Sequence, residues 1–278
     1  MNPFRPARLA VPVIALLMVP SWSVRADEPE TIVLASTTSV ENSGLLAHIL
    51  PQFTHETGIE VHVVAQGTGQ ALATAAHGDA DLVLVHDPEA EARFLAAGHG
   101  VSRQEIAWND FIIVGPGADP AHIAGTKDVV AAFQAIATAK APFVSRGDNS
   151  GTDALEKRLW KVAGLQPAPG SGWYRDIGSG MGAALNTAAA MDAYTLSDRG
   201  TWLSFGHKGD LKIVLEGDPR LLNRYDVILL DPQKHPEAKQ PPAHRLAAWL
   251  ASQEGQAAIG GYTIAGQRLF HPEADPKP

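Results

Sequence analysis

The sequence of 278 residues contains no cysteine. This absence excludes a disulfide framework, a thiolate nucleophile, a zinc–thiolate site and an iron–sulfur cluster, because each of them is built on cysteine sulfur. It also excludes anchoring through a lipid-modified cysteine. Several classes of redox, metal-binding and disulfide-stabilised protein are thus ruled out.

The chain also lacks a surplus of positive charge. It has 22 Lys and Arg residues against 30 Asp and Glu residues, which gives a formal net charge of −8. Proteins that hold nucleic acid neutralise its phosphates with basic residues, so the composition predicts no nucleic-acid partner. Charged residues make up 19% of the chain and apolar residues 45%, a balance typical of a folded globular protein.

A hydrophobic run long enough to span a membrane is missing as well. The apolar stretch at residues 9–19 contains a proline and is much shorter than the ~20 residues of a transmembrane helix. Two arginines precede it, and Val24-Arg25-Ala26 follows it with small residues at the positions that signal peptidase reads. We predict a signal peptide at residues 1–26, cleaved after Ala26, and an exported mature protein that is not embedded in the membrane. A retained anchor is the alternative.

After this segment, short strand-like runs alternate with longer stretches of helical spacing. That alternation predicts an α/β fold. No flexible linker divides the chain, so we expect two α/β lobes between which the chain crosses and then returns. A proline-rich stretch at residues 231–243 is expected to be a surface loop. Strands are predicted at residues 31–36, 59–65, 80–85, 111–114, 142–145, 193–196, 212–215 and 225–230, and helices at residues 45–53, 68–76, 88–97, 129–136, 155–162 and 179–191 and around 246–250.

Three turns rich in hydroxyl groups and glycine each follow a predicted strand and open a predicted helix. They are Ser36–Ser39, Gly67–Gly69 and Ser145–Thr152. A strand-to-helix turn presents free helical N–H groups and the positive end of the helix dipole, so hydroxyls there form a donor-rich cup for an anion. Helix capping is the alternative for each turn alone, since Ser and Thr are preferred caps without any ligand.

Arg146 is the only basic residue in these three turns. Its planar guanidinium matches the edge of an oxyanion, which makes it the first candidate for a charged ligand contact. The alternative is an ion pair with Asp148 or Asp153. Gly151 would allow the backbone to approach a ligand closely, although a tight turn would need it equally.

Seven short strings are spread in order over most of the chain that follows the predicted signal peptide. They are STTS at 36–39, QGTGQAL at 66–72, DLVLVHDP at 81–88, NDFIIVGP at 109–116, SRGDNSGT at 145–152, GSGMGAALN at 178–186 and AYTLSDRGTWL at 193–203. In this order and spacing they resemble the tungstate-specific substrate-binding proteins of ABC importers. Related families bind molybdate, sulfate or phosphate.

The resemblance implies a type II periplasmic binding fold with a ligand cleft between two α/β lobes. It places lobe I at residues 27–112 and 200–278 and lobe II at residues 113–199. The protein would be a periplasmic monomer, not an enzyme, that needs no cofactor, captures an oxyanion and delivers it to a membrane permease. The ligand-binding residues would be Thr37, Thr38, Ser39, Thr68, Arg146, Ser150, Gly151 and Thr152.

Two positions depart from the pattern of that family. Ser36 stands where the family usually has a further threonine, and Asp153 stands where it usually has histidine after the SGT string. The second change adds a negative charge near the predicted anion site. We therefore expect Asp153 to bear on affinity and selectivity.

A hydrolase is the main alternative from another functional class. The stretch Gly178–Gly182 is similar to a nucleophile elbow and to a dinucleotide-binding loop, but the two patterns need glycine at Ile177 and Ala183 respectively. A hydrolase of phosphate esters would also need a nucleophile with a base, or a metal pair. No such set stands out in the sequence, and a structural turn is the favoured interpretation.

Two further patterns favour plain explanations. The acidic and histidine residues between His77 and Asp87 are similar to a metal site, yet a solvated loop with helix-capping acids is the preferred interpretation, and we predict no metal. Arg146-Gly147-Asp148 spells an adhesion tripeptide, but this tripeptide lies inside the third of the anion-binding turns.

Overall fold

A computed structural model describes residues 29–264 and 266–277 of the chain. The predicted signal peptide at residues 1–26 lies outside these ranges. Over the described residues, no helix combines the length and the apolar character needed to cross a bilayer.

Helices and strands alternate along the chain, as the hydrophobic patterns predicted. The helices are α1 (Thr38–Asn42), α2 (Leu45–Thr57), α3 (Thr68–Ala76), α4 (Pro88–Ala96), α5 (Val129–Ala139), α6 (Gly151–Val162), α7 (Met181–Met191), α8 (Arg199–Ser204), α9 (Gln240–Ala251) and α10 (Gln253–Gly261). The strands are β1 (Glu30–Thr37), β2 (Ile59–Gln66), β3 (Leu82–Val85), β4 (Gly100–Pro116), β5 (Phe143–Ser145), β6 (Tyr174–Asp176), β7 (Thr195–Asp198), β8 (Leu211–Leu215), β9 (Leu222–Leu230), β10 (Thr263–Ile264), β11 (Gln267–Arg268) and β12 (His271–Pro272).

One group of strands brings two of the predicted turns to the same place. β1 lies between β2 and β3 and runs parallel to both. Carboxyl ends of parallel strands share one edge of a sheet, which is where α/β proteins bind ligands. Thr37, Gly67 and His86, which end or follow these three strands, therefore come to one edge.

The long strand β4 connects two halves of the molecule. From Gly100 to Asp110 it pairs with β9, and from Phe111 to Pro116 it pairs with β7 and β8. We call the half that contains β1, β2, β3 and β9 the first lobe, and the half that contains residues 111–221 the second lobe. The second lobe also holds the parallel pair of β5 and β6.

Each lobe has apolar side chains on both faces of its sheet. In β1, Ile32 and Leu34 belong to one buried cluster, whereas Ala35 belongs to another. In β4, Ile113 belongs to one buried cluster and Ile112 to another. Alternate residues of a strand point to opposite faces, so helices cover both sides of each sheet, as α/β layering requires.

The return from the second lobe to the first differs from the expected place. We assigned residues 200–278 to lobe I, but β8 pairs with β4 inside the second lobe. Val214, Leu215 and Leu221 are buried in the apolar cluster of that lobe. Strand pairing and burial therefore put the return between Leu221 and Leu222, while the first crossing lies close to the expected boundary after residue 112.

The expected loop at residues 231–243 is also partly wrong. Helix α9 begins at Gln240, and its two prolines lie in the first turn. Proline is tolerated there because the first N–H groups of a helix have no partner within it. The prolines in this stretch thus mark a helix start as well as a loop.

Candidate functional site

The three turns predicted from the sequence meet between the two lobes. Gly151, at the start of α6 in the second lobe, faces the first lobe so closely that a Cβ atom there would lie 3.0 Å from Cε1 of His86 and 3.4 Å from Oγ1 of Thr68. His86 in turn contacts Thr37, with 3.2 Å between Nε2 and Oγ1. Thr37 of the first turn and Gly151 of the third turn therefore lie beside His86. Thr68 of the second turn lies beside Gly151.

The first turn is both a helix cap and part of this meeting point. Thr37 is the N-cap of α1, and its Oγ1 accepts a hydrogen bond from the backbone N–H of Val40. Its side chain is buried, whereas Thr38 is exposed and Ser39 half-buried. Ser36 donates its hydroxyl to the carbonyl oxygen of Leu84 at 3.0 Å. The serine that replaces the usual threonine at position 36 therefore bonds to a neighbouring strand, and the replacement leaves the hydroxyls of Thr37, Thr38 and Ser39 in place.

The second turn holds a buried hydroxyl without a partner. Thr68 is the first residue of α3 and is 3% exposed. Its Oγ1 forms no hydrogen bond with any residue that the structure describes. A buried, unsatisfied polar group costs about 1–3 kcal/mol. Since Gly67 caps α3 without a side chain, capping does not explain why Thr68 is polar, and a ligand would.

The backbone of the third turn requires glycine at position 147. Gly147 has a φ of 60°, and a Cβ atom there would overlap the carboxylate of Asp176. Ser150 is the N-cap of α6 and accepts a hydrogen bond from the N–H of Asp153. The capping interpretation is thus confirmed for Ser150, and the turn places Gly151 beside His86 and Thr68 of the first lobe.

Arg146 is held in a fixed orientation inside this turn. Its side chain is buried, its Nε and Nη2 donate to Asp148, and its Nη1 donates to Oγ1 of Thr152 at 3.3 Å. Burial opposes ionisation of Asp148, but hydrogen bonds from Ser150 and Arg146 outweigh it and lower the pKa of Asp148. The ion pair that we considered for Arg146 is present, and together with the hydrogen bond to Thr152 it orients the buried guanidinium.

Asp153 holds the same turn together. Its two carboxylate oxygens accept the N–H groups of Gly147 and Asn149, each at 3.2 Å. Nζ of Lys157 donates to Asp153 at 2.6 Å, and this hydrogen bond raises the pKa of Lys157. The negative charge added by Asp153 is therefore paired with a cation, and the carboxylate shapes the loop.

His86 lies among these turns, and our site prediction did not include it. It follows β3, is 6% exposed, and packs its ring against Tyr225 with 5.1 Å between the ring centres. Burial lowers the pKa of His86, against the opposing effects of Asp198 and Asp87, and Arg146 adds to the lowering. The sequence had suggested His86 only as part of a possible metal cluster; its position after a buried parallel strand was the available signal.

Two of the three acidic residues of that possible metal cluster, Asp81 and Asp87, have structural partners. Asp87 is the N-cap of α4 and also accepts a hydrogen bond from Arg158 at 3.3 Å. Asp81 accepts the backbone N–H groups of Val33 and Lys239. Among residues 29–264 and 266–277, no group of three or more metal-ligating side chains is found.

The stretch that is similar to a nucleophile elbow supports the third turn. The N–H of Ser179 donates to the carbonyl oxygen of Arg146 at 3.0 Å, and the N–H of Ile177 donates to that of Ser145. Gly180 is the N-cap of α7. These backbone bonds explain the stretch as a structural turn beside the third of the predicted turns.

A family model described as a PBP superfamily domain matches residues 24–254 of the chain. This protein belongs to that superfamily. Within it, the chain is 44% identical to the tungstate-binding protein TupA of Peptoclostridium acidaminophilum, over 88% of this chain and 86% of that protein. It is 36% identical to TupA of Campylobacter jejuni, over 84% and 87% of the two chains. The family resemblance seen in the sequence is confirmed.

Solved structures of the family have the same fold. The tungstate-binding protein TupA from Desulfovibrio alaskensis aligns with a TM-score of 0.80 and 43% identity, over 88% of this chain and all of that chain. A structure described as the tungstate ABC transporter from Geobacter sulfurreducens aligns with a TM-score of 0.75 and 43% identity, over 84% and 99%. The predicted two-lobed, type II periplasmic binding fold is thereby confirmed.

Proposed function

We propose that this protein is the periplasmic binding component of an ABC importer and that it captures tungstate between its two lobes. The observation that carries the proposal is the buried hydroxyl of Thr68, which has no hydrogen-bond partner in the described part of the chain and lies beside Gly151 of the opposite lobe. Membership of the TupA family supports tungstate as the ligand.

The site would bind a dianion mainly through neutral donors. Hydroxyl and amide dipoles can replace the hydration shell of a tetrahedral anion without burying a matching cation for every negative charge. Arg146 would add one positive charge, already oriented by Asp148. We propose these contacts to the oxyanion: Thr37, Thr38, Ser39, Thr68, Arg146, Ser150, Gly151 and Thr152.

The proposed activity is capture without chemistry. The donors of the cup suit anion binding, and the acids around it are engaged as helix caps or ion pairs. We therefore propose that the protein is not an enzyme and needs no cofactor. Contacts from both lobes would favour a closed state by their differential free energy, and a membrane permease would recognise that state. Export through the predicted signal peptide would place a monomer in the periplasm.

Calorimetry on the mature protein tests the proposal. The protein is dialysed free of anions and titrated with tungstate, molybdate, sulfate and phosphate. Thermal denaturation of each mixture should shift with ligand concentration as RT ln(1 + [L]/Kd). We expect tungstate to bind most tightly and the smaller sulfate much more weakly, since cavity size and donor placement discriminate between anions of similar charge.

Two outcomes would contradict the proposal. Tighter binding of molybdate than of tungstate would keep the oxyanion function and replace the ligand. If none of the four anions bound, the cup would serve only to cap helices. A panel of phosphate and sulfate esters would then test the hydrolase alternative by release of product.

A further inference from the structure

His86 has a hydrogen-bonding partner on each ring nitrogen. Nδ1 lies 3.1 Å from Oδ1 of Asn223, and Nε2 lies 3.2 Å from Oγ1 of Thr37. Thr37 belongs to the proposed anion cup, whereas Asn223 belongs to β9. The buried histidine therefore connects a proposed ligand contact to a strand that joins the lobes.

Asn223 extends this connection to the other crossing strand. It is paired in register with Asn109 of β4, next to the place where the chain passes between the lobes. Its Nδ2 donates to Oδ1 of Asn109 at 2.8 Å and to the hydroxyl of Tyr225 at 2.7 Å. Both amide hydrogens of Asn223 are thus used, which turns its Oδ1 toward His86.

This arrangement determines where the protons lie. Because Oδ1 of Asn223 can only accept, Nδ1 of His86 must carry a hydrogen and donate it. In a neutral imidazole the other nitrogen, Nε2, is then an acceptor. Nε2 therefore accepts a hydrogen bond from the hydroxyl of Thr37, whose Oγ1 already accepts one from the N–H of Val40. With neutral His86, the one hydrogen that Thr37 has to offer is directed away from the cup.

We propose that His86 is a positioning residue that couples oxyanion capture to the uptake of one proton; this inference rests on the proposed function. The proton comes from solvent and binds Nε2 of His86. Nε2–H then donates to Oγ1 of Thr37, and the Thr37 hydroxyl turns to donate to an oxygen of the anion. No covalent bond to a heavy atom forms or breaks, and the imidazolium balances part of the charge of the bound dianion.

The charges around His86 set the direction of the effect. Asp198 at the start of α8 and Asp87 at the start of α4 favour the imidazolium, whereas burial and Arg146 of the third turn oppose it. Asn223 and Tyr225 of β9 face the ring as neutral groups. A bound dianion adds negative charge, so it raises the pKa of His86 from the lowered value of the free protein. Affinity must therefore fall as the pH rises through this range.

Calorimetric titrations with tungstate, at several values from about pH 6 to about pH 9, test this coupling. Each titration is run in two buffers that differ in ionisation enthalpy, so the heat difference counts the protons taken up. We expect uptake approaching one proton per tungstate, and an affinity that falls up to about tenfold for each pH unit. His86→Gln should abolish the uptake and flatten the pH profile. The exposed His62 of β2 supplies the control, and His62→Gln should keep both.

Nitrogen-15 spectra of the wild-type histidine rings give a second measurement that needs no variant. We expect His86 to be the Nδ1–H tautomer in the free protein and to be protonated on both nitrogens when tungstate is bound. Tungstate binding without proton uptake, or uptake that persists in His86→Gln, would overturn the role of His86 and leave the proposed function standing. Failure of all four oxyanions to bind would overturn the proposed function and this inference together.

Discussion

The two lobes contribute unlike halves to the same site. The first lobe brings neutral groups, the hydroxyls of Thr37 and Thr68 and the ring of His86, and the hydroxyl of Thr68 has no partner among the described residues. The second lobe brings charged groups, Arg146 and Asp148, that satisfy one another before any ligand arrives. Among the described residues, the first half thus has an open hydroxyl, while the charged groups of the second half are already paired.

This difference suggests that the second lobe supplies a charge that is already oriented, while the first lobe supplies hydroxyls that gain a partner when an anion binds. Burying a charge is costly unless it is paired. The second lobe pairs its buried Arg146 with half-buried Asp148 within one short loop, and Asp153 and Lys157 stabilise that loop. The first lobe has no such charge at its turns, and an anion would satisfy its open hydroxyl. Closing the lobes would therefore bring an incomplete neutral surface against a completed charged one.

The largest effect is expected from breaking the charged half. Arg146→Ala should weaken tungstate binding by about a hundredfold or more, because it removes the buried cation and leaves half-buried Asp148 without its ion-pair partner. The same variant should lower the melting temperature. Calorimetry and thermal denaturation measure the two effects, and Arg268→Ala, which breaks an exposed pair with Asp275, is the control.

A double variant separates binding from folding at Arg146. Arg146→Ala combined with Asp148→Asn also removes the negative charge that the single variant leaves without a partner. The double variant should therefore regain much of the melting temperature that Arg146→Ala loses, but none of its tungstate affinity. Unchanged affinity in Arg146→Ala would remove this residue from the site. If the double variant instead regained the tungstate affinity, the loss in Arg146→Ala would come from the unpaired charge of Asp148 and not from a missing contact to the anion.

A smaller effect is expected from the neutral half. Thr68→Val removes the unpartnered hydroxyl and keeps the shape of the side chain, so tungstate binding should weaken by about tenfold to a hundredfold. The free protein should be as stable as before or more stable, because an unsatisfied buried group is gone. Thr138→Val, at an exposed position of α5, is the matched control. A large loss of stability without loss of affinity would mean that the hydroxyl serves the fold.

The next effect concerns the support of the third turn. Asp153→Asn keeps one acceptor oxygen where two now bind Gly147 and Asn149, and it leaves Lys157 without its partner. We expect stability to fall by about 1–2 kcal/mol and affinity to fall severalfold. If the charge of Asp153 instead repelled the anion, this variant would bind tungstate more tightly. Chemical denaturation and calorimetry on the same samples decide between the two.

The smallest effect on binding is expected from a buried carboxyl away from the cup. Burial raises the pKa of Glu156 to about 7, in spite of hydrogen bonds from Tyr174 and Trp160. The native state therefore keeps a proton that the unfolded state has already lost, so the contribution of Glu156 to the free energy of unfolding falls as the pH rises from about 4.5 to about 7. Glu156→Gln should flatten this slope in urea denaturation and leave tungstate affinity unchanged. An unaltered slope would exclude Glu156 as its source.

Elements with a strong local pattern were predictable. Helix α2 follows from apolar residues at helical spacing and ends where Gly58, with a φ of 74°, stops it. The first part of β4, at residues 100–106, was missed because most of its side chains are polar and exposed, so no alternation marks it. Its strand character comes from pairing with β9, a contact between residues far apart in the sequence.

Within the candidate site, composition identified the three turns but not how they are connected. Thr37, Thr68 and Arg146 were found because hydroxyls, glycine and an arginine at strand-to-helix turns suit an anion. His86 was overlooked because its partners, Thr37 and Asn223, are 49 and 137 residues away. Asp153 was expected to bear on affinity, although Lys157, four residues later on α6, was an available signal that its charge is paired.

The sequence by itself determined the α/β alternation, the capped turns and the family to which the chain belongs, because these depend on local spacing and residue type. Tertiary structure alone decided that β8 stays in the second lobe, that Gly151 meets His86 and Thr68, and that the hydroxyl of Thr68 has no partner within residues 29–264 and 266–277. Those outcomes depend on which distant strands pair and which side chains become buried together. Such contacts are set by packing over the whole chain and not by any one segment.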